Sequence, residues 1–297
     1  MDRAGPRPFE PVLSRPSVSH RIRSSRRQFS VAGWTASGLA FALLAGLMVW
    51  ILALVFARGY NALTPTLFTT ITQGTSGGLL NAIEGTAVLS TGALLLAVPL
   101  GVAGGIYVSE YRFKRWATTI RFLADVFVGV PSIVIGYFGY VTMVERLGWK
   151  FSVAAGSIVL GMICLPYICR TTEFALRRVP GDLREAAYAL GASERRVILN
   201  ICLPTALPGM LTGILLALAI SVGETAPLLY TAGWSNYLWD GRLTHSPIGY
   251  LTYAVFTFIN EPFASANALA YAAALLVTGF VLVINIVARF ALGHQRV

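Results

Sequence analysis

Some residues of this 297-residue chain stand where their chemistry is costly or unusual. Glu224 falls about sixteen residues into an apolar run that begins near position 208, or roughly 24 Å along a helix at about 1.5 Å per residue. An ionisable group at that depth of a bilayer is a functional candidate by default. Gly223 and Pro227 flank it, and together they are expected to break the helix and free backbone N–H groups that suit an anion. Glu224 itself repels an anion. It therefore either pairs with an arginine, here or on a partner subunit, or hydrogen-bonds internally and shapes the kink. Gly129 and Pro131 mark a second expected kink, as a hinge or as plain packing. Asp125, near the end of its apolar run, can snorkel to water or pair with Arg121 four residues earlier.

The stretch "EAAYALGASERRVILNICLP", residues 185–204, is charged and amphipathic between apolar runs. Leu183, Ala186, Ala187 and Leu190 share one helical face. Gly191 follows at the place of a left-handed C-terminal cap. Ser193 can cap a second helix that starts at Glu194, with Val197, Ile198 and Ile201 as its apolar face. Pro204 is expected to end that helix, and Pro208 suits the first turn of the next. The pattern is helix, glycine elbow, helix, proline stop. It suits insertion into a partner's groove or a helix lying on lipid headgroups.

The elements that must position these residues follow from composition. The chain is 56% apolar, 12% charged and has a mean hydropathy of +0.67. Soluble domains carry roughly a quarter charged residues, so this is an all-α integral membrane protein. Six apolar stretches can span a bilayer: 35–57, 86–108, 121–144, 152–169, 208–231 and 267–289. The link "ERLGWK" at 145–150 makes the third and fourth a hairpin. Residues 1–34 form a basic tail with too little apolar surface to fold alone. Its "SRRQF" at 25–29 resembles a twin-arginine export signal, but the apolar run after it is long and no small-residue cleavage site follows. A basic flank that holds the first span is the simpler explanation.

Nineteen lysines and arginines fall on the side of the tail and the 170–207 connection, against four on the other. The positive-inside rule then places both termini in the cytoplasm. This accounts for the net charge of +10 without nucleic acid, and no basic–aromatic pattern points to nucleic acid. Cys164, Cys169 and Cys202 have no metal-ligand spacing and read as reduced packing residues. Lys114 and Lys150 are the only lysines, and neither lies in a G-x-x-x-x-G-K-[ST] phosphate cradle. No ATPase site and no cofactor are expected on this chain.

Glu185-Ala186-Ala187, Gly191, Ile201 and Leu203-Pro204 match the spacing of the EAA loop, so the chain resembles the permease subunits of bacterial ABC importers. The resemblance implies the type I importer permease fold. It also implies that residues 182–204 dock on an ATPase subunit and transmit its nucleotide cycle. "GVPSIVIGYFG" (129–139), "RTTEFALRRVP" (170–180) and "GETAPLLYTAG" (223–233) resemble the phosphate-import branch, over about 80–292 as a permease core. The match is closest to the second of that system's two permeases.

By the same resemblance Arg170, Glu224 and Thr225 are candidates for the anion pathway. From the residues alone, Arg170 also reads as an ordinary anchor at the end of a span. The implied partners are a second homologous permease, two ATPase subunits carrying ATP and Mg, and an extracytoplasmic phosphate-binding protein. The aromatic segment 233–266 would lie on the outer face. One position departs from the family: Ile220 stands where many phosphate permeases have an arginine. The alternatives are therefore another oxyanion, sulfate or molybdate, or, from a different class, an ion-driven secondary transporter.

Overall fold

The computed structural model describes residues 20–111 and 113–293. Two compact units divide at Ala53 and Leu54. The first holds most of α1 (His20–Tyr60), whose side chains from Ser30 onward are almost all exposed. The expected tail and first span are thus one helix from His20; residues 1–19 lie outside the described residues. No proline interrupts 17–64. A helix already nucleated by the span extends through Arg, Gln and Ala at little cost.

The second unit is a helical bundle. It begins with the end of α1, the single turn α2 (Pro65–Thr69) and a hairpin of β1 (Thr72–Gln73) and β2 (Ser76–Gly77), paired Thr72↔Gly77 and Gln73↔Ser76. Then come α3 (Leu80–Glu110), α4 (Arg115–Gly129), α5 (Ser132–Gly139), α6 (Val153–Arg177), α7 (Gly181–Ala189) and α8 (Glu194–Val197). They are followed by α9 (Leu203–Gly223), α10 (Ala226–Thr231), α11 (Leu251–Phe258) and α12 (Ala264–Gly293). Among the described residues five helices are long and apolar enough to cross a membrane, or six with a bent pair counted as one.

The core runs along α3, α6 and α9. Lipid supplies no hydrophobic drive between helices, so close approach of small residues must hold them. Gly92, Gly101 and Gly105 of α3 bring its backbone against Ser157, Ile168 and Thr172 of α6. The three cysteines are free and buried.

The third span, expected over 121–144 with a kink at Gly129 and Pro131, is broken at that point. It bends by 100° between Arg115–Gly129 and Ser132–Arg146. Pro131 carries no N–H and forces Val130 into extended backbone (φ −78°, ψ 126°), so α4 stops at Gly129 and α5 restarts in a new direction. α5 runs on into a π-turn at Tyr140–Arg146, and Gly148 and Lys150, both at positive φ, turn the chain into α6.

The proline stop at Pro204 is also corrected. Helix continues from Glu194 to Gly223, with Pro208 in its interior. A π-turn at Ile198–Cys202 widens the register just before Pro204, which accommodates a ring with no N–H to give.

In the aromatic segment 233–266, four rings pack on one another. Trp234 stacks on Tyr253 at 4.7 Å and meets Phe258 edge-on, while Tyr250 is buried.

Candidate functional site

Residues 185–204 sit at the end of the bundle where α6 and α9 are joined. Gly191 has φ +77°, a left-handed conformation that L side chains resist. Its N–H donates to Tyr188 O at 2.9 Å, and that of Ala192 to Ala187 O at 3.1 Å, which closes α7. Ser193 stands at the start of α8, but its side chain makes no capping bond. Ala187 is buried, and Val197 and Cys202 pack with it against Leu176 and Val179 of the α6 end. The large side chains of the expected apolar face are uncovered: Leu183 and Leu190 are exposed, Leu190 at 89%, as is Tyr188 off that face. Glu185, Ala186 and Pro204 are exposed too, and Ile201 and Leu203 are half-buried.

The elbow is tied to α3 at two points. Arg184 donates to both carboxylate oxygens of Glu110, at 2.6 and 3.1 Å, and to Leu176 O. Glu194 stands beside the Tyr111 hydroxyl, and its charge and hydrogen bond push that hydroxyl's pKa up. So the last residue of α3 holds α7, and the next holds the start of α8.

A second charged centre joins α4 to α6. Glu173, 1% exposed, receives three guanidinium groups: Arg121 at 2.8 Å, Arg170 at 2.7 Å and Arg177 at 2.7 Å. Arg170 also bridges to Asp125 at 3.1 Å and lies over the Phe174 ring. Asp125 therefore pairs with Arg170. The expected partner, Arg121, is drawn away by the buried carboxylate, where an ion pair is least screened. Arg170 and Arg177 flank Glu173 at i,i+3 and i,i+4, a signal visible in the sequence. Arg121 is 52 positions away and was not.

The third region is the pair of breaks. α9 ends at Gly223, Glu224 is extended (φ −72°, ψ 136°), and helix resumes at Ala226 with Pro227 in the first turn. The other break, at Gly129 to Pro131, lies alongside. The Glu224 carboxyl interacts with the Ser132 hydroxyl at the start of α5. One turn on, Gly136 touches Pro227 so closely that a Cβ there would collide with the proline backbone.

Thr252 Oγ1 donates to Glu224 O at 2.7 Å, and Thr225 and Gly223 line a groove of about 360 Å³ with α11 and α12. α10 is six residues long and has Pro227, which lacks an N–H, in its first turn, so its start makes a poor anion cradle. Ile220 packs in the apolar cluster of Ile135, Val159 and Ile163. Arg170 and Glu224 are not brought together. Glu224 stands level with Leu160 of α6, ten residues or about 15 Å from Arg170.

Two broken helices meeting inside a membrane bundle, with a helical elbow exposed at one end, define a membrane transport subunit. The chain belongs to the binding-protein-dependent transport system inner membrane component family, whose model matches residues 97–294. It is 43% identical over 279 residues to the phosphate transport system permease protein PstA 2 of Mycobacterium bovis, covering 94% of this chain and 92% of that one. It is 44% identical over 253 residues to the phosphate transport system permease protein PstA of Yersinia pestis, covering 84% and 85%. Among solved structures, the MetNI methionine ABC transporter in its inward-facing conformation aligns with a TM-score of 0.54 at 21% identity, over 72% of this chain and 94% of that one. That likeness concerns the fold.

Proposed function

We propose that this chain is a permease subunit of an ATP-driven importer of inorganic phosphate, working with a second, homologous permease. The observation that carries the coupling role is the elbow. It presents Leu183, Tyr188 and Leu190 uncovered, while Arg184 and Glu194 fasten it to the end of α3. An exposed apolar surface on a rigid, anchored element is what a docking partner needs.

That partner is an ATPase subunit, one per permease, which carries the ATP and Mg. ATP binding draws the elbows together, and the anchored α3 passes the movement to the bundle; this chain hydrolyses nothing. The lysine and arginine bias supports a cytoplasmic elbow and cytoplasmic termini in the plasma membrane. On the opposite face a phosphate-binding protein delivers the anion. The relatives' names support phosphate as cargo.

Within the pathway, Glu224 and Thr225 mark the break where α9 and α10 part. Arg170, bound to Glu173 and Asp125, holds α4 against α6 and is not free to follow the anion. With Ile220 in an apolar cluster, the cation that meets phosphate comes from the second permease.

Leu190→Asp tests the docking. Co-purification of the ATPase subunits with the tagged permease should fall at least tenfold, while Tyr237→Asp, on an exposed ring outside the elbow, leaves it unchanged. Undiminished co-purification with Leu190→Asp would contradict the docking role.

A further inference from the structure

The bundle carries a second polar feature beside the Glu224 break that the transport reading does not use. Ser90 of α3, Ser221 of α9 and Tyr250, at the start of α11, are 3%, 2% and 1% exposed. None of their hydroxyls has a hydrogen-bond partner among the described residues. Buried hydroxyls without partners are costly, and three from separate stretches of chain are more than chance packing leaves.

All three residues line one small cavity. Its other walls are the apolar Leu89, Leu160, Val222 and Leu228, with Thr86, Glu224 and Thr252 completing it. Thr86 Oγ1 is already engaged, donating to Ala82 O and accepting from Leu251 N–H. Thr252 Oγ1 donates to Glu224 O. The hydroxyls left without a partner in this cavity are therefore those of Ser90, Ser221 and Tyr250. The fourth buried hydroxyl without a partner, on Thr172, lies at the α3–α6 contact beside Gly105 and does not line it.

The cavity leaves about 10 Å³ for the centre of a water molecule. That is the lower bound for holding one water, and buried waters make about three hydrogen bonds each. We infer that Ser90, Ser221 and Tyr250 bind a single structural water, which joins α3, α9 and the entry to α11 at the point where α9 breaks. The hydroxyls can both donate and accept, so three of the water's four hydrogen-bonding sites are met in either orientation. The broken helix is thus held in register by a hydrogen-bonded hub as well as by packing. The site does not depend on which anion is carried.

The direct test is a map of the assembled transporter at a resolution that shows ordered water. The expected result is a peak about 2.5–3.0 Å from all three hydroxyl oxygens. Ordered waters elsewhere in the same helices with none here would overturn the site. A second test uses Ser90→Ala, Tyr250→Phe and the double variant in the intact complex. Each single change removes one of the water's partners, so the two losses in melting temperature should combine to clearly less than their sum. Strictly additive losses, or no loss from either, would also overturn it.

Discussion

At the residue scale, Gly191 and Glu173 carry the sharpest expectations. No atom stands within 4 Å of a Cβ built on Gly191, so a substitution there is strained by conformation alone. Gly191→Val should cost about 1–2 kcal/mol at the elbow and reduce the ATPase stimulation of the assembled complex. Gly191→Asn, which tolerates the left-handed region, should restore most of it. Equal stimulation in all three forms would show that the turn does not matter.

Glu173→Gln leaves three guanidinium groups around a neutral side chain. It should destabilise the complex by about 3–5 kcal/mol, seen as a lowered melting temperature. The glycine was legible because one residue type alone suits that backbone. The carboxylate was only half legible, because its two local arginines show in the spacing but Arg121 reaches it through the fold.

At the element scale, the elbow and the two breaks are where the fold departs from straight spans. The breaks were legible as Gly and Pro pairs, since loss of an N–H and freedom at a glycine act locally. Their 100° angle and their meeting through Ser132 and Gly136 depend on tertiary packing and were not. Pro204 misled for the same reason: a π-turn upstream absorbs it and the helix goes on.

If α3 receives the elbow's motion through Arg184, then Arg184→Ala should lose about 1.5–3 kcal/mol of charge-assisted bonding to Glu110. It should also lower uptake more than it lowers ATP hydrolysis. Reversing both charges, Arg184→Glu with Glu110→Arg, should recover part of the coupling. A parallel fall in both activities with no recovery would reduce the pair to a fold stabiliser.

At the scale of the whole molecule, the membrane dictates most of what the sequence discloses. Spans must be long, apolar and internally hydrogen-bonded, so hydropathy alone locates five or six of them. Beyond the hairpin of the third and fourth spans, which helices pack together was not legible. The α3–α6 seam rests on small residues that carry no periodic signal strong enough to pair two particular helices. Neither position that bears on the cargo offers a free cation: Ile220 sits among apolar side chains and Arg170 is held by two carboxylates.

Labelled phosphate uptake at low concentration, in cells with and without this gene, tests the central claim most directly. Sulfate and molybdate serve as competitors, and vanadate is compared with a protonophore. The account predicts gene-dependent phosphate uptake that vanadate abolishes and that neither competitor reduces. Gene-dependent uptake that a protonophore stops and vanadate leaves intact would contradict it.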